Sequence, residues 1–266
     1  MSEPIRRRGR PRSAKDQGGT VQVLDRALDM LDLLAAHPGL TLSEVAERME
    51  QSPSTVHRLL HSLAARGMVE SDPATQAWNI GPATFRLGSA FMRRSGIVER
   101  ARPILQALMT HTGETANLGI LNGDAVLFVS QAETHETIRA FFPPGTRSPL
   151  HASGIGKALL AFGRAEILQA YLDGPGLTRF TDRTLVTADA LTEDMARIRS
   201  RGFSFDDEER TRGMRCIAAP VFDLTGEAIA GVSVSGPTHR IGHEHVKTLG
   251  AVVAAAAAEL SAAMGG

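Results

Sequence analysis

Cysteine is all but missing from the chain. A single one, Cys216, stands among 266 residues, which rules out an intrachain disulfide framework and fits a reducing compartment. Long apolar runs are missing too. None approaches the roughly 20 residues of a membrane span, and the tail AVVAAAAAELSAAM reads as an alanine-rich helix rather than a lipid-facing one. The first residues lack the apolar centre of a signal peptide, so a soluble, cytoplasmic protein with no membrane partner is expected. Net charge is absent as well, with 29 Lys and Arg balancing 29 Asp and Glu. On its face that argues against a nucleic-acid partner, since phosphate neutralisation supplies most nonspecific affinity. Signatures of catalysis are lacking. No nucleophile elbow or Cys-Gly pattern flanks Cys216, which sits in the strand-like Arg-Cys-Ile-Ala, and the histidines show no metal spacing such as His-Glu-x-x-His. His57 and His61 are four apart, yet a zinc ion there would obstruct the face they share, and no third ligand is near. Neither a catalytic residue nor a metal or other cofactor is expected.

Two short helical patterns do stand out, back to back: TLSEVAERM from Thr41 to Met49 and SPSTVHRLLHSLAARG from Ser52 to Gly67, with room for only a tight turn between them. Each carries its own start signal. Thr41 with Glu44 three residues on makes a capping box, and Ser52 before Pro53 joins a serine cap to proline at the first helical position. Leu42, Val45, Ala46 and Met49, then Val56, Leu59, Leu60 and Leu63, fall at the spacings of one buried face. The opposite face of the second helix offers Ser54, Thr55, His57, Arg58 and His61. These are short donors and acceptors with one guanidinium near the N-terminal end, the part of a recognition helix that meets base edges. Upstream, Val21, Leu24, Leu28, Leu31 and Ala35 form one stripe of a supporting helix that stops at Pro38-Gly39. Downstream, MVES and AWNI flank an Asp-Pro turn, with Gly81-Pro82 closing the segment. Three helices and a hairpin predict a winged helix-turn-helix over residues 20–81 that binds double-stranded DNA through Ser52, Ser54, Thr55, His57 and Arg58. An ordinary helical hairpin with a polar outer face is the competing reading.

The zero net charge hides a segregation. From Val21 to Ile80 eight acids face four arginines, whereas Arg6, Arg7, Arg8, Arg10, Arg12 and Lys15 crowd the first fifteen residues. Residues 1–19 therefore read as a disordered basic arm. Its RRRGRPR resembles an AT-hook core, in which arginines such as Arg8 and Arg10 point to the floor of a narrow minor groove. Contact with phosphates alone is the alternative.

The second half alternates strands and helices. Residues 82–96 read as a linker helix with Phe85, Leu87 and Phe91 along it, suited also to pairing protomers. Val98, Ala101, Leu105 and Leu108 mark an amphipathic helix opening a domain over 97–266. ETANLGIL and AVLFVSQA flank the turn Asn122-Gly123-Asp124, and RCIAAPVFD and EAIAGVSVS flank Leu-Thr-Gly. Between these hairpins GIGKALLAF, AEILQAYL and ADALTEDMARIRSRG are helical in pattern, and a last helix runs from about His243 to Met264. In HASGIGKALLA the helix opens at Ser-Gly-Ile-Gly, where free N–H groups and the helix dipole favour an anion such as a carboxylate. Ser233 and Ser235, two apart on one strand, present both hydroxyls to one side of the sheet.

Four motifs in order, STVHRLLHSLAARGMVE, RLGSAF, LHASGIGKALLA and GVSVSGP, resemble the IclR family of bacterial transcriptional regulators from about Val21 to the C-terminus. The resemblance implies an α+β chain: an N-terminal winged helix-turn-helix, a linker helix, and a C-terminal effector domain, GAF- or profilin-like, with an antiparallel sheet flanked by helices. It implies a homodimer on DNA and often a dimer of dimers. The pattern is most similar to the family's glyoxylate-responsive members, among them regulators of the β-hydroxyaspartate cycle. In such sensors two amides at the helix start meet a small acid, and these fall on Gly154 and Ile155. An aspartate, a cysteine and two serines complete the set, matched here by Asp206, Cys216, Ser233 and Ser235. The implied effector is a small 2-oxo acid, glyoxylate before pyruvate. A regulator responding to an aromatic acid and an enzyme using Cys216 are the alternatives. Two departures stand out. Ile155 replaces the usual alanine and Ser148 the usual leucine, which leaves the pocket's size open, and the wing has Gln76 and Ala77 where relatives carry a basic residue. Weaker wing contacts would give the arginine arm more of the phosphate binding.

Overall fold

The computed structural model describes residues 21–174 and 176–266, so the basic arm with Arg8 and Arg10 lies outside the described residues. Two units are distinct, Met1–Arg94 and Ser95–Gly266. In the first, α1 (Gln22–Ala36) ends before a turn in which Gly39 takes φ +83°. Its core face differs from the stripe read in the sequence. Val21, Leu24 and Leu28 are 65%, 56% and 52% exposed, while Met30 and Leu34 are buried, with Ala27, Leu31 and Leu33 alongside. The helix carries two apolar stripes, and the one through Met30 and Leu34 joins the cluster of Val45, Val56 and Leu60.

Both following helices start at their caps. Thr41 accepts the Glu44 N–H and Glu44 accepts the Thr41 N–H at 2.8 Å, a complete capping box at the start of α2 (Leu42–Arg48). Ser52 accepts the Thr55 N–H at 3.3 Å at the start of α3 (Pro53–Ala64). Glu50, at φ 51°, makes the tight turn between them. A short wing follows, β1 (Val69–Ser71) paired antiparallel with β2 (Trp78–Ile80), its turn fixed by Asp72 accepting the Ala74 N–H at 2.8 Å. Val69 and Trp78 close the core beneath it. Then comes α4 (Pro82–Ser95), which leaves Phe85, Leu87 and Phe91 exposed.

The second unit opens with α5 (Ile97–Thr112) and the hairpin β3 (Thr115–Asn122) and β4 (Ala125–Ala132). Next are β5 (Arg147–Pro149), α6 (Gly154–Phe162), α7 (Ala165–Leu172), α8 (Ala188–Arg201) and β6 (Ser204–Asp207). β7 (Met214–Phe222), β8 (Ala228–Pro237) and α9 (Val246–Met264) complete it. The strands form an antiparallel sheet in the order β5-β4-β3-β8-β7-β6. α6 packs on β7 and β8 with α8 outside it, while α5 and α9 pack together and against the sheet. Contrary to the expectation that no stretch approaches a membrane span, His243–Met264 is long and apolar enough for one. Its apolar side is used within the unit, with Val253, Ala257 and Leu260 buried.

Candidate functional site

On the first unit, α3 turns Ser54, His57, Arg58 and His61 outward, and Thr55 is half-buried. Ser52 holds the start of this face together: beyond its cap bond, its hydroxyl lies 3.0 Å from that of Ser54 and 2.9 Å from that of Thr55. His57 and His61 pack ring against ring with centroids 4.2 Å apart, and His61 meets the edge of Trp78 on the wing. Among the described residues no group of histidine, cysteine and acid side chains could hold a metal ion.

On the second unit the sheet register lines up a polar row. Asp206 pairs with Cys216, Cys216 with Ser235, and Ser235 with Thr115, so four side chains from β6, β7, β8 and β3 share one face. One step along, Ser204, Ala218, Ser233 and Asn117 form a second row. The start of α6 lies over both. A Cβ on Gly154 would stand 2.6 Å from Cys216 Sγ, so only glycine allows the helix this close. Ser153 caps the helix by accepting the Gly156 N–H at 3.4 Å, and its carbonyl takes the Lys157 N–H at 2.8 Å. The amides of Gly154 and Ile155 are the remaining first-turn donors.

Each sequence-derived candidate has a definite place here. The Gly154 N–H and the Ser233 and Ser235 hydroxyls reach the Cys216 thiol, and burial, with the Asp206 charge nearby, pushes that thiol up to about 11. Cys216 is thus a neutral S–H, the reverse of an activated nucleophile. Ile155 turns its side chain into the core, wedged under Gly119 and Gly231, where a Cβ on Gly231 would come within 2.8 Å of it. Its bulk is therefore absorbed by paired glycines of β3 and β8. Asp206 is occupied: Oδ1 accepts the Glu209 N–H at 2.7 Å and the Arg210 N–H is in reach, closing a turn in which Glu208 takes φ 63°.

A cavity of about 270 Å³ opens over the first row, walled by Asp206, Cys216, Ser235, Arg210 and Met214, with Arg139 to Phe142 on another side. Gly154, Ile155 and Ser233 stand behind Cys216 rather than on this wall. A larger cavity, of about 430 Å³, lies beside α7, lined by Leu121, Leu150, Ile167 and Tyr171 with Asp124, Arg164 and Glu166.

Behind the polar row sits a buried ionic cluster that sequence reasoning missed. Lys157 Nζ is fully buried and donates to Asp194 at 2.8 Å, Glu209 at 2.6 Å and the Phe205 carbonyl at 2.6 Å, tying α6 to α8 and to the turn after β6. Burial pushes the Asp206 carboxyl up to about 6 and that of Glu209 up to about 8, against the pull of Lys157. Burial opposes the lysine's charge, yet Glu209 and Asp194 outweigh it and hold its pKa above the ordinary value. The one available signal was a lone lysine inside the otherwise apolar GIGKALLA. Thr115 was also missed; its buried hydroxyl has no hydrogen-bond partner among the described residues.

Comparison with known proteins decides the family. The IclR helix-turn-helix domain matches residues 23–73, and the bacterial transcriptional regulator IclR C-terminal domain matches residues 89–262. The chain belongs to the IclR family. It is 64% identical over 270 residues to the HTH-type transcriptional regulator BhcR of Paracoccus denitrificans (strain Pd 1222), covering 99% of this chain and 96% of that protein. Over 251 residues it is 39% identical to the transcriptional repressor IclR of Escherichia coli (strain K12), covering 93% and 92%. The crystal structure of Thermotoga maritima IclR matches with a TM-score of 0.77 at 29% identity, over 93% of this chain and all (100%) of that one. As an IclR-family member the chain is a DNA-binding transcriptional regulator rather than an enzyme, with a winged helix-turn-helix followed by an α+β effector domain.

Proposed function

We propose that this regulator binds its operator under the control of a small 2-oxo acid, glyoxylate first and pyruvate second, and does so as a homodimer or a dimer of dimers. The carrying observation is the cavity over Cys216 and Ser235. Its floor is a thiol and a hydroxyl, its rim carries guanidinium groups, and its volume of about 270 Å³ lies below the roughly 300–1,000 Å³ of sites for drug-sized ligands. On this reading Gly154 and Ile155, through their amides, and Asp206, Cys216, Ser233 and Ser235 form the effector-binding set. Ser54, Thr55, His57 and Arg58 read the operator, Ser52 fixes the helix start, and Arg8 and Arg10 of the arm add minor-groove or phosphate contacts. On this reading the protein works in the cytoplasm. Ligand in the cavity shifts the population of effector-domain states, and α4, which joins the two units in the chain, passes the shift on.

Calorimetric titration of the full chain with glyoxylate, pyruvate and an aromatic acid, repeated on Ser235→Ala and Cys216→Ser, tests the reading. Saturable binding of glyoxylate without its consumption, weakened in both variants, is expected. Preference for the aromatic acid would replace the effector, and turnover would overturn the sensor reading altogether.

A further inference from the structure

Glu209 is a buried acid whose charge is only half answered. Its Oε1 accepts from Lys157 at 2.6 Å, while Oε2 is buried with no hydrogen-bond partner among the described residues. Charges face it from each element of the junction. α6 brings Lys157, and α8 brings Asp194, which accepts from Lys157 at 2.8 Å and from Arg197 at 3.4 Å, and Arg201, which gives Nε to the Phe203 carbonyl at 2.6 Å. β6 brings Asp206 and Asp207, the second already paired with Arg215 at 2.7 Å and with Arg183. Beyond Asp206 stand Arg210, its guanidinium 4.1 Å from the centre of the Phe180 ring, and the protonated Cys216 thiol. The loop before α8 gives the Glu209 carbonyl two hydroxyls, from Thr181 at 3.4 Å and Thr184 at 2.6 Å. Three carboxyls thus share one buried ammonium, which favours keeping one of them protonated.

The cluster meets the effector site at two points. Asp206 stands on the cavity wall and accepts the Glu209 N–H at 2.7 Å, and Lys157 follows Gly154 by three residues in the first turn of α6. An acid bound at that helix start adds a negative charge beside carboxyls that already outnumber their ammonium, at a depth where water screens poorly. A proton on Glu209 relieves the crowding. Oε2 takes it, Oε1 stays on Lys157, and the ammonium's charge is left to Asp206 and Asp194. We propose that the effector domain takes up a proton together with its acid, that Glu209 is the residue that receives it, and that effector affinity is thereby tied to pH. The proton comes from solvent and forms an O–H bond at Oε2; no bond of the effector breaks. Glu209 lies behind the cavity wall and acts on the acid through Asp206 and Lys157. This inference rests on the small-acid reading above and adds a second ligand, the proton, to it.

Burial raises the Glu209 carboxyl from 4.5 to about 8, so it is protonated at neutral pH and ionises as pH rises through about 8. Because the bound acid strengthens its hold on the proton, affinity is full below about pH 7 and falls above it. Calorimetry of the full chain with glyoxylate, in HEPES and in Tris, reads the protons taken up from the difference in buffer ionisation heat. A ten-fold tighter hold on the proton in the complex gives about 0.4 proton per site at pH 8 and binding about five-fold weaker at pH 9 than at pH 7. Glyoxylate itself, a carboxylic acid, stays ionised throughout. Glu209→Gln fixes the neutral form while its amide oxygen can still accept from Lys157. It should bind glyoxylate with almost no proton uptake and with affinity flat between pH 7 and 9. Asp194→Asn removes a charge that helps to keep Glu209 protonated, and should move the fall in affinity to lower pH. Melting curves at each pH separate lost binding from lost fold. Glyoxylate binding without proton uptake in the parent would sink this inference and leave the sensor reading standing. Uptake that persists in Glu209→Gln, or an unshifted pH profile in Asp194→Asn, would take the proton away from Glu209. Absence of glyoxylate and pyruvate binding in the parent chain would sink both proposals together.

Discussion

Cys216 shows how much a residue's neighbours decide its chemistry. A lone cysteine near an aspartate invites a nucleophile, yet burial and the Asp206 charge push its thiol up to about 11. Alkylation by iodoacetamide is therefore expected to be slow at pH 7.5 and to keep rising by about ten-fold per pH unit towards pH 10, because only the thiolate reacts. A rate that levels off near the free-cysteine range of about pH 8–9 would show an ordinary thiol, one that burial and the Asp206 charge do not hold protonated. At this scale the sequence was legible where a period exposed the geometry. Ser233 and Ser235 share a face because strand side chains alternate, and the register then sets Cys216 beside Ser235. Arg210 was not legible. Its aim comes from a turn that Asp206 ties and from Phe180, thirty positions away in the chain, and neither leaves a local pattern.

At the scale of elements, the junction of α6, α8 and β6 is held by one ammonium among three acids, Asp194, Glu209 and Asp206. Asp206 is raised from 3.8 to about 6 and Glu209 from 4.5 to about 8, each chiefly by burial. Glu209 Oε2, buried without a partner among the described residues, is the natural seat of a proton while Oε1 accepts from Lys157. The folded state thus binds more protons than the unfolded chain between the ordinary carboxyl range and pH 8. The stability these groups contribute is fully present below about pH 4 and is lost as pH rises through about 6 and then about 8. The melting temperature of the effector domain is expected to fall between pH 5 and 8.5, measured by circular dichroism, and Glu209→Gln should flatten that fall. A melting temperature that climbs over this window would show that the carboxyls ionise freely. Capped, periodic elements such as α2, α3 and the β3-β4 hairpin were readable beforehand. β5 and β6, three and four residues long, were not: the equally short wing strands flank an Asp-Pro turn that marks them, whereas β5 and β6 stand beside no such Asp-Pro turn and take their strand geometry from the neighbouring ladder.

For the whole molecule the informative misreading is α1. Its sequence offers two apolar stripes, and the stripe at Val21, Leu24 and Leu28 stays exposed once Met30 and Leu34 enter the core. α4 likewise leaves Phe85, Leu87 and Phe91 in solvent. Apolar rows left on a DNA-binding unit are the surface that the proposed homodimer would use. The acidic surroundings of α3 make that pairing matter, because eight acids against four arginines between Val21 and Ile80 leave one protomer little phosphate affinity of its own. Two remedies are open to the chain, a second recognition helix and the arginine arm, and they differ in their salt signature. Leu28→Glu is expected to halve the mass seen by light scattering for the isolated DNA-binding unit and to lower operator affinity by at least about a hundred-fold, the scale of lost bivalency. Deleting residues 1–15 should leave the mass unchanged and flatten the slope of log K against log salt by nearly one unit per phosphate released. An unchanged slope after the deletion would mean that the arm touches no phosphate, and an unchanged mass in Leu28→Glu would assign the exposed stripe of α1 to something other than pairing.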